Sequence, residues 1–599
     1  MKKWLIIIGI LVVVIAVILI TYPTGRKHFT ETSRAIVEVL SLKQGRARSI
    51  AGMVPNRAGF FIRAHGAQKI WDDFTAGDFF RELTTSAPWK EAKIDERLKA
   101  FQKDFAARNG FPLDQSTVME LAGEDIGLAI LPAEDISPDT LLVVSRVGLK
   151  ARLVEILTRL GDGWRDAGER VLIEEEYRGV MIVRIGPTDS FPFFIAYTLI
   201  DDYLVMVIAQ SPVRTVIERV IELDREEGGR ESLADSPRFT DAVRTVSLST
   251  ESFLEWYLRP SFLKDREGRR QPLLTSAPFT LTEWGGEIIK KLSAIQTGAG
   301  SFGYAGGIWS RFFLEFESET PGGAGIPSPS APAVTFQSFV PAGALLFVAL
   351  ESDLSLLWED IKTAIEVPAM GEHITPWVIL RSWEQDTGVS VKGDILPALG
   401  DQFALVMERI TGKEFLPMPP GAVIFRVANR EKADEVMGRV AAWAALSHNF
   451  TLVKETYEDT EINTIPDLFF MQPGYALVDG YLIISSDREF LMKMIDVREG
   501  RSPGIETDPI FQKITGVVDH SSDDFIYLNG KELLQSLLNL GEWYMAYQRM
   551  TPDEPRLSEE IYQKKILPIL NLCGICRAAG VGITHDRKVV RGDCFIYIQ

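Results

Sequence analysis

After residue 50 the chain is a succession of short apolar runs separated by turn-forming residues. In its first half, runs near Phe60, over Ile126–Leu131 and over Leu141–Val147 predict strands. Two further strands meet at Arg178-Gly179, and Tyr197–Ala209 folds about Asp201-Asp202 as a hairpin, because Asp and Gly tolerate the turn backbone. Apolar positions at helical spacing predict helices around Gln68–Leu83, Lys93–Arg108, Leu149–Leu160 and Val213–Leu223. Ser236-Pro237-Arg238-Phe239 reads as one more helix start, with Pro in the first turn where its missing N–H is harmless. Glu287–Ile295 reads as a helix, followed by a terminal hairpin over Gly303-Tyr304 and Phe312–Phe316. Hairpins interspersed with helices, without strict alternation, predict an α+β fold with a mixed, largely antiparallel sheet and helices on one face.

The same course is run twice. Val54-Pro55 and the run Gly59-Phe60-Phe61-Ile62 correspond to Val340-Pro341 and Leu345-Leu346-Phe347-Val348. Asn109-Gly110-Phe111 corresponds to Thr387-Gly388-Val389, and the run from Ala122 to Leu128 to that from Leu399 to Leu405. A strand ending Arg146-Val147 has its counterpart ending Arg426-Val427. The hairpin Tyr197-Thr198-Leu199-Ile200-Asp201-Asp202-Tyr203-Leu204 matches Tyr475-Ala476-Leu477-Val478-Asp479-Gly480-Tyr481-Leu482, and Ser236-Pro237-Arg238-Phe239 matches Asp508-Pro509-Ile510-Phe511. Paired positions stay about 270–290 residues apart, so one module is duplicated without large insertions. Between the copies, the Pro/Gly/Ser-rich stretch Thr320–Ser330 cannot build a core and reads as a linker. The expected organisation is an N-terminal transmembrane helix (1–25), a juxtamembrane stalk (26–50), a first α+β repeat (51–318), a linker (319–335) and a second α+β repeat (336–599).

The anchor is read from Lys2 and Lys3 followed by an uncharged run from Trp4 to Tyr22. About 19 residues at 1.5 Å each span roughly 28 Å, enough to cross a hydrocarbon core, and Trp4 and Tyr22 bracket the run as interfacial aromatics do. A cleaved signal peptide is the competing reading; Thr21-Tyr22-Pro23-Thr24 offers it no small-residue cleavage pattern. Long domains cross a membrane largely regardless of charge, so the bulk is expected on the periplasmic or extracellular side of a single-pass inner-membrane protein. Thr30–Leu42 has the look of a short amphipathic helix, with Lys43, Arg46 and Arg48 after it.

With its anchor, Val-Pro opening, Tyr-x-Leu-x-Asp-x-Tyr-Leu hairpin and Asp-Pro-x-Phe helix start, the sequence resembles a bacterial family catalogued as domain of unknown function 3352. The resemblance implies a membrane-tethered, exported bacterial protein and transfers no catalytic residue.

Composition narrows the function. The net charge of −18 over 599 residues argues against nucleic acid, whose binding needs Lys and Arg to displace counterions. All 3 cysteines lie near the C-terminus: Cys573, Cys576 and Cys594. Cys573-Gly574-Ile575-Cys576 has redox or zinc half-site spacing, but no second such pair and no His at ligand spacing accompany it, and the first copy has no thiols there. Buried small residues are therefore the first reading, a disulfide the second and a thiol site the third. Gly298–Gly303 fits G-x-G-x-x-G, but with a helix before it and strands after it, the reverse of a dinucleotide site; the glycines are read as easing a helix-to-strand corner. The 6 histidines are dispersed, and no metalloprotease, nucleophile-elbow or Walker A motif is present. Glu174-Glu175-Glu176 and Glu455, Glu458, Asp459, Glu461 are acidic clusters at matched turns, read as solvated. The leading expectation is a non-enzymatic binding or scaffold protein of the cell envelope, without cofactor or metal, in contact with the bilayer and with a protein partner or apolar ligand. The alternatives are a carrier of an apolar ligand or lipid between sheet and helices, motivated by 33 Phe and 12 Trp, and a hydrolase with a non-contiguous site.

Overall fold

A computed structural model describes residues 49–598 except 67–71, 73–74, 86–88, 91–92, 110–124, 133–139, 147–171, 187–193, 210–213, 226–231, 247–251, 260–294, 305, 318–331, 352–353, 356–357, 359–361, 363–375, 412–416, 449–450, 467–470, 551–560, 569, 571–573 and 587. Two compact units form, the first made of residues up to Tyr304 together with Phe312–Glu317, the second of Ser318–Gln599 together with the short segments Ser86–Pro88 and Ala305–Arg311. The anchor with its ends Trp4 and Tyr22, the stalk, the helix expected at Leu149–Leu160 and the linker at 320–330 lie outside the described residues. Among those described, no helix is long and apolar enough to cross a membrane.

The first unit contains β1 (Phe60–His65), β2 (Asp125–Leu131), β3 (Thr140–Arg146), β4 (Leu172–Tyr177), β5 (Val180–Ile185), β6 (Phe194–Ile200), β7 (Tyr203–Ala209), β8 (Ser252–Leu258), β9 (Ile295–Tyr304) and β10 (Gly307–Phe316). Its helices are α1 (Asp78–Thr85), α2 (Ile94–Asn109), α3 (Arg214–Arg225) and α4 (Pro237–Val246). Hydrogen bonding orders the strands β4-β5-β6-β7-β3-β2-β1-β8-β9-β10, antiparallel at every pair from β4 to β9.

The second unit contains β11 (Leu346–Glu351), β12 (Leu399–Met407), β13 (Gly421–Val427), β14 (Val453–Tyr457), β15 (Thr460–Thr464), β16 (Gly474–Val478), β17 (Tyr481–Ser485), β18 (Asp524–Asn529), β19 (Cys576–Asp586) and β20 (Val589–Ile598). Its helices are α5 (Pro332–Gln337), α6 (Pro376–Thr387), α7 (Arg430–His448), α8 (Arg488–Arg498), α9 (Pro509–Thr515) and α10 (Gly530–Met550). The strand order is β14-β15-β16-β17-β13-β12-β11-β18-β19-β20, antiparallel throughout. It is the first order with every label advanced by ten, so the repeat read from the sequence is a repeat of topology.

The landmark residues hold equivalent places. The backbone of Val54 accepts from Leu233 N–H at 2.7 Å, and Val340 accepts from Ile505 N–H at 2.8 Å. These bonds pin each Val-Pro turn beside the short helical turn that precedes α4 or α9. In the second copy Asp508 both caps α9, accepting from Ile510 N–H at 2.8 Å, and accepts from Gly343 N–H at 3.2 Å in the opposite turn. The Phe two residues after each Pro is an anchor. Phe239 meets Tyr257 edge-on at 5.2 Å and Phe61 at 5.8 Å. Phe511 meets Tyr527 edge-on at 5.0 Å. Phe61 is paired across strands with Tyr257 and Phe347 with Tyr527, so each Phe seats its helix over the centre of the sheet. α3 buries Val216, Ile217, Val220 and Ile221 in the first core; α8 buries Phe490, Leu491, Met494 and Ile495 at the same helical spacing in the second.

Four of the two-residue hairpin turns start in the left-handed region: Arg178 (φ 53°), Asp201 (φ 49°), Glu458 (φ 49°) and Asp479 (φ 50°). The recurrence of Asp201 and Asp479 is thus a turn requirement.

One motif is corrected. Gly298–Gly303 lies inside β9 rather than at a helix-to-strand corner, and most of the helix expected over Glu287–Ile295 lies outside the described residues, with Ile295 itself opening the strand. The glycines make room for an aromatic side chain. A Cβ on Gly300 would stand 2.3 Å from the indole Nε1 of Trp256, its cross-strand partner, and one on Gly298 3.3 Å from the same ring.

Candidate functional site

Three places carry the residue types that chemistry or binding would use. The first is the acidic clusters at the β4–β5 and β14–β15 turns. Glu175 accepts from Arg184 Nη2 at 3.0 Å and lies 3.5 Å from Arg214 on α3; Glu455, its counterpart, is held by Arg488 on α8 at 2.6 and 2.9 Å. Tyr177 donates to Glu222 at 2.7 Å, and Tyr457 donates to Asp496 at 2.9 Å. Both copies therefore clamp the edge hairpin to the helix after β7 or β17 with an ion pair and a phenol–carboxylate bond, and the first adds a second ion pair, Arg178 to Glu222 at 3.4 Å. The Arg488 hydrogen bond holds the Glu455 carboxyl below its ordinary range, as Tyr177 and Arg219 do for Glu222. Lys454 engages Glu461 at 2.7 Å. Carboxylates so paired are poor candidates for acid–base work, whose groups need values near the working pH.

The second is the cysteines. Cys573 lies outside the described residues, and neither Cys576 nor Cys594 is in a disulfide. On the β19–β20 ladder Cys576 faces Ile598 and Cys594 faces Val581, five positions along β19 from Cys576. At about 3.3 Å per residue that separation is roughly 17 Å, too far for a bond that needs Cα atoms within about 7 Å. Burial pushes the Cys594 thiol up, away from the reactive thiolate. Alkylation of native protein by iodoacetamide is therefore expected to modify Cys594 at least about tenfold more slowly than in the denatured chain; equal rates would contradict its burial. Among the described residues, no group of three or more His, Cys, Asp or Glu is placed to hold a metal ion.

The third place is the face of each sheet opposite the helices of the core. Along β11 residues alternate between buried and half-buried, and the half-buried set is apolar: Leu346, Val348 and Leu350. The strand registers align such residues in a row. In the second unit Ile526, Val348, Leu405, Val423 and Ile484 stand side by side across β18, β11, β12, β13 and β17. The row ends are open, Ile526 being 37% and Ile484 40% exposed. Phe403 and Phe425 lie beside it, ring centroids 6.1 Å apart. In the first unit the same registers align Trp256, Ile62, Leu128, Val143 and Met206 across β8, β1, β2, β3 and β7. An ordinary two-layer sheet turns polar residues to its second face. Here both copies keep that face apolar, at the same five positions. Four strand spacings give the row a width of about 19 Å.

Fold and site together define a duplicated antiparallel α+β protein that presents an apolar sheet face twice. The sequence matches the family described as "Protein of unknown function (DUF3352)" over residues 83–561, and the chain belongs to that family. No curated protein matches it. Among solved structures, the one titled "Structure of crystal form I of TP0453" aligns over 45% of this chain and 80% of its own at 8% identity, with a TM-score of 0.23, too slight a likeness to carry any argument.

Proposed function

We propose that this protein is a non-enzymatic binding protein of the bacterial cell envelope, tethered to the inner membrane through Trp4–Tyr22 with its two α+β units on the periplasmic or extracellular side. The apolar row repeated in both units carries this reading. Part-exposed apolar surface is costly in water, at roughly 25 cal/mol per Å², and an apolar row at the same five positions in both copies, part-exposed at all but Leu128, is best explained by an occupant. The acidic balance of −18 disfavours nucleic acid as that occupant.

A second reading is favoured by the same row: the occupant is an apolar chain, and the protein is an envelope carrier of lipid or a similar ligand. A continuous strip about 19 Å wide, walled by branched and aromatic side chains and without a polar group in its five positions, suits an extended acyl chain. Fluorescent fatty-acid binding to the chain from Ser49 onward tests both. The carrier reading expects saturable binding that the double substitution Ile484→Asp and Ile526→Asp weakens at least about tenfold, a loss of ~1.4 kcal/mol. Both side chains are already part-exposed, so the fold tolerates the change. Absence of binding, or binding unaffected by the two charges, removes the carrier reading and leaves a protein partner as the occupant.

A further inference from the structure

The second unit holds a group of acids that its fold does not need. Glu351 ends β11 on the core side of the sheet and is 94% buried, at 6% relative exposure. The amide side chain of Gln402, its cross-strand neighbour, hydrogen-bonds one carboxyl oxygen; Oε2 is buried without a partner. The other groups around it are mostly acids. Asp401 and Gln402 come from β12, where Arg426 of β13 is spent on Gln402 at 3.4 Å. Asp523 and Asp524 come from the start of β18, and the Glu351 N–H donates to the Asp523 carbonyl at 3.2 Å and to Asp524 Oδ1 at 3.1 Å. From β19, His585 donates its N–H to Asp523 Oδ2 at 2.6 Å and sets its ring Nε2 2.9 Å from Asp524 Oδ2. The His585 ring is thus the cation available to this group when it is protonated, and it is committed to Asp524.

The same corner of the first unit is built differently. Arg63 of β1 makes a two-bond pair with Asp125, at 2.9 and 2.8 Å, and approaches Glu255 at 3.7 Å. By register His65 occupies the place of Glu351, Asp125 that of Gln402 and Arg63 that of Ala349, so the corner that gathers unbalanced acids in one copy holds a basic residue beside an ion pair in the other. The duplicated topology therefore does not require the acids.

We propose that Glu351, Asp523, Asp524 and His585 form a proton-operated clasp that holds the β11–β18–β19 end of the second sheet closed in acid and loosens it as the pH rises past neutral. Protonated, Glu351 is a neutral group that its dry surroundings accept, and His585 is charged against Asp524. Ionised, Glu351 is an anion with one unpartnered oxygen among three aspartates, and a neutral His585 no longer offsets them. The shifts agree in sign. Burial and the neighbouring acids push Glu351 up to about 7, burial raises Asp523, and the Asp524 hydrogen bond raises His585. Each group binds its proton more tightly folded than unfolded, so the stability each contributes is full at acid pH and is lost as pH rises through its folded value. The window for Glu351 runs from its ordinary 4.5 to about 7.

Hydrogen exchange on the full chain between pH 5.5 and 8, corrected for the intrinsic pH dependence of exchange, reads the clasp at the Glu351 and His585 amides. Protection is expected to fall at least about tenfold over this range. Glu351→Gln keeps the shape and removes the charge; it is expected to show at pH 8 the protection the native protein shows only in acid, and a flattened pH response. Unchanged native protection, or a Glu351→Gln protein with the native pH response, overturns the proposal. If that variant does not fold, carbon-13 titration of the native Glu351 carboxyl decides: a midpoint near 7 supports the clasp, and an ordinary carboxylate value refutes it.

Discussion

Phe511→Ala is expected to destabilise the second unit by about 3–5 kcal/mol, and Phe239→Ala, whose ring is only partly buried, the first by less, about 2–3 kcal/mol. Each ring is the aromatic contact between a short helix and the middle of its sheet. Phe511 lies 5.0 Å from Tyr527 and 6.0 Å from Phe525, and Phe239 touches Tyr257 and Phe61. α9 has 7 residues, too few to hold itself by local bonds, so its position depends on what it buries. Loss of the ring opens a cavity and loosens the helix together. Urea unfolding resolved by probes in each unit checks this. A change below about 1 kcal/mol in either unit would mean the aromatic cluster is peripheral.

Gly530→Ala is expected to be the most damaging methyl addition at the described glycines. α10 begins at Gly530, directly where β18 ends, and a Cβ there would stand 2.0 Å from the carbonyl oxygen of Cys576. The obstacle is backbone at the head of β19, so the strand or the helix must shift. Overpacking of this kind costs about 1–3 kcal/mol, and the upper end is expected. Gly438→Ala supplies the opposite sign. Gly438 sits inside α7 with nothing within 4 Å of an added Cβ, so alanine there is expected to stabilise by about 0.5–1 kcal/mol. Thermal unfolding of the two variants side by side separates a steric cause from a general sensitivity to substitution.

Much of this fold is legible in the residues, for reasons that are local. A two-residue turn needs a left-handed backbone, so Asp201-Asp202, Asp479-Gly480 and Arg178-Gly179 announce their hairpins. Pro in a first turn announces α4 and α9. The copies announce themselves because both kinds of signal recur in order. What fails to show is set by long-range pairing. β8 carries Phe253, Leu254, Trp256 and Tyr257 around Glu255, and only its place between β1 and β9 gives this run its meaning. The glycines of β9 look like a break in a strand until Trp256 is seen lying across them. The apolar row draws one residue from each of five strands, and no spacing along the chain connects Ile526 to Val348 or Val423 to Ile484. Glu351, Asp523 and His585 are likewise unremarkable singly; register alone brings them together.

One module, built twice, keeps the same apolar face in each copy. An experimentally determined structure of the full chain, with β1–β9 superposed on β11–β19, tests this most directly. The expected result places Phe61, Phe239 and Tyr257 on Phe347, Phe511 and Tyr527, and sets Trp256, Ile62, Leu128, Val143 and Met206 over Ile526, Val348, Leu405, Val423 and Ile484. Halves with different strand orders, or matched sheets whose five-residue rows point to opposite faces, would contradict it.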